Sequence, residues 1–300
     1  MPATLLNFRS GGLLLTGDLR VPDGPPPGAG FPAIVFTGPL SGVKEQVTGL
    51  YAQRLAEHGY ITLAFDHRNF GASEGEPRQH EDPAGKFADL RDAVSVLAAH
   101  PDVDGERIAV VGICLGGGYA LRFSAFDPRV RAVACVAGGF NDPRAMRDSM
   151  GADQYRGLLA RFAQVAAHDH ATGVTSYTLA VSGDETPAVM GGAEPFDYYG
   201  SERSASPGWV NQLTELTVRE LITTDLAIGA DFVSPTPLLI VHGRTDAYCS
   251  PEGAQDVYER AGEPKELLWL DTTNHIDLYD QPQYVEPAIE RITDWFAKFV

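Results

Sequence analysis

A glycine-rich turn between an apolar run and a second apolar segment constrains the fold of this chain most. Residues 107–111 read RIAVV, residues 112–118 read GICLGGG, and an apolar segment begins at Tyr119. This order predicts a buried strand, a sharp turn and a helix, with Cys114 at the turn and glycines two residues to either side of it. Such a turn strains the backbone and leaves no room for side chains at the flanking positions. We therefore expect Cys114 to project as a nucleophile from the edge of a sheet.

Predicted strands and helices alternate along most of the chain. Strands are predicted at residues 33–36, 61–65, 107–111, 130–136, 238–242 and 266–270, with an antiparallel edge strand at 13–21. Helices are predicted at residues 44–58, 83–100, 251–261 and 284–299. Strands separated by helices pair in parallel through right-handed crossovers, and such sheets bind ligands beyond the carboxyl ends of their strands. The sequence predicts an α/β fold with a mostly parallel central sheet flanked by helices.

Residues 139–237 break this alternation. They follow one predicted core strand and precede the next, and residues 146–168 and 211–225 have the pattern of helices. We expect an α/β core made of residues 1–138 and 238–300, with residues 139–237 inserted as a helical lid. A lid inserted at this point of the chain would lie over the edge that carries Cys114.

Composition excludes several classes of partner. The formal net charge of −17 at pH 7 argues against binding to nucleic acid or to an anionic membrane surface. No apolar run approaches the ~20 residues that span a bilayer, and the first residues lack the features of a secretory signal. Three cysteines suit reduced thiols better than a disulfide framework. We expect a cytoplasmic protein with a small-molecule acyl substrate, and the sequence leaves open whether it forms a homodimer.

A nucleophilic thiol needs a base, and the base needs an acid that orients it. Asp246 follows the predicted strand at 238–242 after a glycine turn, and His275 lies just beyond the predicted strand at 266–270. The order nucleophile, acid, histidine is the one that accompanies this type of turn. We predict a catalytic triad of Cys114, Asp246 and His275.

Two backbone N–H groups should stabilise the oxyanion of a tetrahedral intermediate. One is the amide of Leu115, which follows the nucleophile. The other should come from the turn after the strand at 33–36, where Pro39 has no N–H. Leu40 is therefore the better donor, and Ser41 is the second choice.

The remaining site predictions concern the pocket and its ligands. Candidate residues of a substrate pocket are Ser41, Tyr248, Tyr199 and Trp209, although packing within the lid explains the lid aromatics better. His168 and His170 stand two residues apart on a predicted helix end and do not make a metal site. We predict neither a metal nor a cofactor.

These residues resemble the α/β-hydrolase superfamily. The turn at 112–117 is similar to that of dienelactone hydrolase, and residues 42–46, 65–71 and 275–280 are similar to a bacterial group of dienelactone-hydrolase-like proteins. The likeness extends over nearly the whole chain and implies the fold and a Cys–His–Asp triad at Cys114, His275 and Asp246. Relatives often carry a glycine-rich oxyanion turn where this chain has leucine and serine after Pro39.

The predicted function is acyl chemistry through an acyl-cysteine. A thiolate is a strong nucleophile at neutral pH but also a good leaving group, which favours thioester, lactone and activated ester substrates over peptides. The first hypothesis is a hydrolase of esters, lactones or thioesters. The resemblance also implies a second, an acyltransferase or cyclase of a polyketide pathway that uses the same triad. A third is a non-catalytic binder on the same fold.

Overall fold

Eleven strands form two sheets in the computed structural model, which describes residues 1–300. The strands are β1 (Thr4–Ser10), β2 (Leu13–Arg20), β3 (Phe31–Thr37), β4 (Ile61–Phe65), β5 (Val103–Ile113), β6 (Val130–Val136), β7 (Tyr177–Ser182), β8 (Ala188–Gly191), β9 (Leu213–Thr214), β10 (Leu238–Gly243) and β11 (Lys265–Leu270). The main sheet has the order β1-β2-β4-β3-β5-β6-β10-β11. Every neighbouring pair from β4 to β11 is parallel, whereas β1–β2 and β2–β4 are antiparallel. The predicted α/β fold with a mostly parallel sheet is confirmed.

Ten α-helices complete the chain. They are α1 (Val47–Glu57), α2 (Pro83–Ala98), α3 (Leu115–Phe126), α4 (Pro143–Met150), α5 (Ala152–Thr172), α6 (Ala193–Tyr199), α7 (Leu216–Thr223), α8 (Pro251–Arg260), α9 (Asp277–Asp280) and α10 (Pro282–Phe299). None of these helices has the length and apolar character needed to cross a bilayer.

The centre of the main sheet is covered on both faces. All residues of β4 and β10 are buried, which explains why their sequences are continuous apolar runs rather than alternating ones. Each buried Leu, Ile or Val side chain contributes about 1.5–3 kcal/mol relative to an exposed one. This packing fixes the strand ends from which the candidate site is built.

The edge of the sheet differs from the prediction. Residues 13–21 were expected at the edge, but β2 lies one position inside it and β1 is the edge strand. β1 buries only Phe8 and Ser10. Its side chains therefore give a weak apolar signal, and its pairing with β2 decides its conformation.

The 139–237 segment lies between β6 and β10 and contains a sheet that the sequence did not predict. Its three strands have the order β8-β7-β9. The helix expected at 146–168 is two helices, because Gly151 adopts φ +88° and ends α4 before α5 begins. The helix expected at 211–225 is shorter, since the Asn211 side chain bonds both backbone groups of Val181 and leads the chain into β9. Whether this segment is a lid stays a prediction.

Polar contacts tie the 139–237 segment to the core. The Trp209 indole donates to the Ser41 hydroxyl at 3.3 Å, and the Gln46 amide donates to the Ser204 carbonyl at 3.1 Å. Arg203 contacts the carboxylate of Asp280 through Nε at 2.8 Å and through a second guanidinium nitrogen. These contacts place residues 203–209 against the turn after β3 and against α9.

Candidate active site

Cys114 lies at a strained turn between β5 and α3. Its backbone has φ 56° and ψ −127°, a region that non-glycine residues enter only when the surroundings impose it. Its N–H donates to the Val136 carbonyl at 3.0 Å, and its carbonyl accepts from the amides of Gly117 and Gly139 at 2.8 and 2.7 Å. The turn is therefore held between the ends of two neighbouring strands.

The glycines beside Cys114 are required by space. A Cβ atom on Gly112 would lie 2.1 Å from the Gly116 carbonyl oxygen, and one on Gly116 would lie 2.2 Å from the Thr37 carbonyl oxygen. Both distances are far below van der Waals contact. The second of them also shows that the Cys114 turn packs directly against the end of β3.

Asp246 and His275 are joined by a short hydrogen bond. His275 Nδ1 lies 2.6 Å from Asp246 Oδ2, and both side chains are almost fully buried. The other carboxylate oxygen accepts the backbone N–H groups of Tyr248 and Cys249 at 2.9 and 2.8 Å. These bonds fix the carboxylate, and the carboxylate in turn fixes the imidazole ring with Nε2 on the side away from Asp246.

The structure brings the Cys114 thiol close to this imidazole. The Cys114 Sγ, the Cys249 Sγ and a ring nitrogen of His275 all lie within 4.8 Å of one another. The two sulfur atoms are 3.8 Å apart. The three side chains of the predicted triad thus lie together at the carboxyl ends of β5, β10 and β11.

Two residues at this site were not assigned a role from the sequence. The Tyr279 hydroxyl lies 3.0 Å from His275 Nε2, and Tyr279 is 1% exposed. The spacing of four residues after His275 is that of a shared helix face, which is the signal that could have found it. The contact of Cys249 with Cys114 had no sequence signal beyond the closeness of Cys249 to Asp246 along the chain.

The pKa of the Cys114 thiol and the pKa of the His275 imidazole shift in opposite directions. A hydrogen bond from Cys249, together with the nearby charge of His275, holds the pKa of Cys114 well below its usual range despite burial. Burial alone lowers the pKa of His275, but the Cys114 thiolate and the Asp246 carboxylate raise it to about 10. The Cys249 hydrogen bond to Cys114, reinforced by burial, raises the pKa of the Cys249 thiol. These shifts favour a negative charge on Cys114 and a positive charge on His275, and they disfavour ionisation of Cys249.

The two amides predicted to face the oxyanion lie on adjacent turns. Leu115 is the first residue of α3, so the helix itself cannot satisfy its N–H. The Leu40 amide lies outside any helix or strand and donates to no protein acceptor. Contact between Gly116 and the end of β3 brings the two turns together. The oxyanion role of these amides stays a prediction.

The four predicted pocket residues lie on two sides of the site. Tyr199 is buried, stacks on Trp209 at a ring distance of 5.6 Å, and meets Tyr279 edge-on at 6.3 Å. Ser41 accepts the Trp209 indole N–H. Tyr248 lies on the opposite side, with its ring 6.0 Å from that of His275.

A cavity of about 570 Å³ reaches the second thiol of the site. It lies between α4 and the start of α8, and its walls include Gly139, Met146, Tyr248 and Cys249. A Cβ on Gly139 would touch both the Cys249 sulfur at 3.2 Å and the Leu115 Cα at 3.3 Å. One wall of the cavity therefore adjoins Cys114 and the Leu115 amide.

The fold and the buried thiol, imidazole and carboxylate define this chain as an α/β-hydrolase-fold enzyme. It belongs to the family described as serine aminopeptidase, S33, whose model matches residues 41–282. The match includes Cys114, Asp246 and His275. The residue at the turn is cysteine here, although the family description refers to serine.

Relatives of known sequence or structure agree with this class. The uncharacterized protein PA2218 of Pseudomonas aeruginosa is 34% identical over 95% of this chain and 77% of its own length. Its crystal structure has a TM-score of 0.89, with 99% of this chain and 94% of that chain covered. Polyketide transferase grgF of a Penicillium species is 29% identical over 82% of this chain and 81% of its own. Thiohydrolase aneE of Aspergillus aculeatus is 28% identical over 88% of this chain and 83% of its own.

Proposed function

We propose that this protein is an acyl hydrolase that forms an acyl-enzyme on Cys114 from an ester, lactone or thioester. The observation that carries the proposal is the buried arrangement of Cys114, His275 and Asp246, with His275 Nδ1 2.6 Å from the carboxylate. A group of this kind activates a nucleophile and returns a proton to the leaving group. A binding protein would not need it.

The reaction begins with attack of the Cys114 thiolate on the acyl carbon. The amides of Leu115 and Leu40 stabilise the oxyanion that develops. His275 then gives its Nε2 proton to the departing alcohol or thiol, while Asp246 keeps the ring in place. In the second half, water loses a proton to His275, attacks the acyl-cysteine and releases the acid.

Sulfur chemistry restricts the substrates. An intermediate on cysteine expels its best leaving group, and a thiolate leaves more readily than an amine. Thioesters, lactones and activated esters therefore proceed to the acyl-enzyme, while amides return to substrate. The relative named thiohydrolase supports a thioester as the first substrate to test.

The cavity beside Cys249 supports an acyl group of moderate size. Its volume of about 570 Å³ lies within the range of small-molecule sites. Met146 and Phe140 supply apolar wall, whereas Asn141 and Ser149 supply polar groups. We propose that the acyl chain lies here, with the 139–237 segment acting as a lid.

Trapping the acyl-enzyme tests the proposal. The protein is mixed with an acyl thioester and with a p-nitrophenyl ester, and the mass of the intact chain and of its peptides is measured. We expect one acyl group on the peptide that contains Cys114, and none on Cys114→Ala. Cys135→Ala is the matched control, because Cys135 is a buried free cysteine on β6. Turnover by Cys114→Ala within about twofold of the wild type would contradict the proposal.

Enclosure of the site favours a second candidate, acyl transfer to an alcohol, amine or carbon nucleophile. Cys114 is 7% exposed and His275 is 3% exposed, so water has little access to an acyl-cysteine between them. The relative named polyketide transferase is consistent with this alternative. An acyl-enzyme that discharges slowly in water and quickly with an added acceptor identifies a transferase, and equal rates identify a hydrolase.

A further inference from the structure

Two thiols and one imidazole lie close together at the site. Sγ of Cys114, Sγ of Cys249 and a ring nitrogen of His275 lie within 4.8 Å of one another, and all three residues are buried. Acyl transfer by a triad needs only one of these two thiols. The second one gives the site a donor set that ordinary triads lack.

The spacing of the two sulfur atoms matches a tetrahedral metal ion. Zinc–sulfur bonds of about 2.3 Å at the tetrahedral angle place two thiolates about 3.8 Å apart. The observed Sγ–Sγ distance is 3.8 Å. A zinc-bound thiolate and imidazole are about 3.6 Å apart by the same geometry, so small side-chain rotations complete the set.

Asp246 already orients the imidazole as metal sites require. Zinc-binding histidines usually present one nitrogen to the metal and donate the other N–H to a carboxylate. Here Asp246 Oδ2 accepts the hydrogen bond of His275 Nδ1 at 2.6 Å, so Nε2 is the ring nitrogen available to a metal ion. Tyr279 now contacts Nε2 at 3.0 Å.

A route to the site is also present. Cys249 forms part of the wall of the 570 Å³ cavity between α4 and α8. Three acidic residues line the cavity: Asp142 and Asp256 pair with Arg144 and Arg260, and Glu252, which pairs with no arginine, supplies the negative charge that attracts cations. A divalent cation can therefore approach the sulfur atoms from the cavity.

We propose that Cys114, Cys249 and His275 form a binding site for a thiophilic divalent cation, Zn²⁺ above all, which blocks the nucleophile reversibly. Two thiolates and one imidazole leave the fourth position of the metal open. The cation is an inhibitor and not a cofactor, because it ties up the sulfur that must attack the acyl carbon. Only the inhibition rests on the proposed function; binding of the metal does not.

The binding step balances in charge and protons. Before binding, the three ligands carry two protons: one on the Cys249 thiol and one shared by the Cys114–His275 pair. Binding of Zn²⁺ forms two Zn–S bonds and one Zn–N bond, and releases both protons to solvent. Two protons should therefore be released for each metal ion near neutral pH.

Titration with Cd²⁺, a spectroscopic analogue of Zn²⁺, tests the site directly. The reduced, metal-free chain is titrated in a phosphine reductant, and the thiolate-to-cadmium ultraviolet band and proton release are recorded. We expect one equivalent to bind with two protons released. Cys249→Ala and Cys249→Ser should each weaken binding about 100-fold or more. Cys135→Ala should bind as the wild type does, and thermal melting shows that each variant is folded.

Activity measurements separate this proposal from the proposed function. Micromolar Zn²⁺ should abolish acyl turnover of the wild type, and a chelator should restore it. Inhibition of Cys249→Ala, measured against its own metal-free rate, should need about 100-fold more Zn²⁺. Metal binding without acyl turnover would support the metal site and contradict the proposed function. The metal site is overturned by absence of binding at tens of micromolar cation, or by equal binding in Cys249→Ser.

Discussion

The main sheet and the 139–237 segment are built in opposite ways. Every residue of β10 is buried, whereas α4 buries none of its residues and α5 buries only Phe162. The segment buries residues where it meets the core, both beside the site at Tyr198 and Tyr199 and away from it at Leu226 and Ala230. The contrast indicates that the sheet holds the reacting groups in position, and under the proposed function the segment would control what reaches them.

Loss of a triad residue should have the largest effect of these predictions, and the effect should fall on acyl turnover. We expect Cys114→Ala and His275→Ala each to lower acyl turnover by about 10³-fold or more, and Asp246→Asn by somewhat less. Cys114→Ala should melt close to the wild type, because it removes a single heavy atom, whereas His275→Ala leaves the buried Asp246 carboxylate without its partner and should melt lower. Steady-state kinetics and calorimetry measure both effects. Turnover at the wild-type rate in all three variants would contradict the triad assignment.

Glycine-to-alanine changes compare the two regions directly. Gly116→Ala places a Cβ 2.2 Å from a backbone oxygen of Thr37 and should cost about 3 kcal/mol. Gly157→Ala on α5 meets no atom within 4 Å and should stabilise the protein by up to about 1 kcal/mol. Urea unfolding gives both values. A destabilising Gly157→Ala would show that the segment is packed as tightly as the sheet.

The ionisation of Cys114 should appear in its alkylation by iodoacetamide. Because the thiol has a pKa well below its usual range, the thiolate persists below pH 8 and alkylation slows only as the pH falls through that lowered value. His275→Ala removes the positive charge beside the thiolate and leaves the Cys249 hydrogen bond in place, so the midpoint should move upward. Peptide mass spectrometry follows Cys114 alone. An unchanged midpoint would mean that the imidazolium does not stabilise the thiolate.

Replacing Arg203 should change the stability of the protein least among these variants, and it should increase motion only locally. It bridges Asp197 of the 139–237 segment and Asp280 of the core from a partly exposed position. Such pairs contribute about 0–1 kcal/mol, so Arg203→Gln should barely change the melting temperature. Amide hydrogen exchange should nevertheless quicken in α6 and not in β10. Equal change in both would mean that the two regions open together.

Local sequence patterns predicted the parts of this molecule that depend on local physics. The buried strands follow from apolar runs, and the turn at Cys114 follows from the glycines that its backbone needs. The positions of Asp246 and His275 just beyond two predicted strands, in the order nucleophile, acid, histidine, made their approach foreseeable.

Features set by distant contacts were not predictable from one sequence. The strands β7, β8 and β9 bury few residues and depend on pairings such as that of Asn211 with Val181. The contact of Cys249 with Cys114 joins residues 135 positions apart. No periodicity reports such a distance, and only the folded loops bring the two sulfur atoms together.

The stacking of Trp209 on Tyr199 allows tryptophan fluorescence to report the contact between the 139–237 segment and the core. The chain has three tryptophans, and Trp269 and Trp295 belong to β11 and α10 of the core. The indole of Trp209 alone stands where the 139–237 segment touches the turn after β3, with its N–H on Ser41. With the two core indoles replaced by phenylalanine, its emission would follow any separation of the 139–237 segment from that turn in real time, without any attached dye.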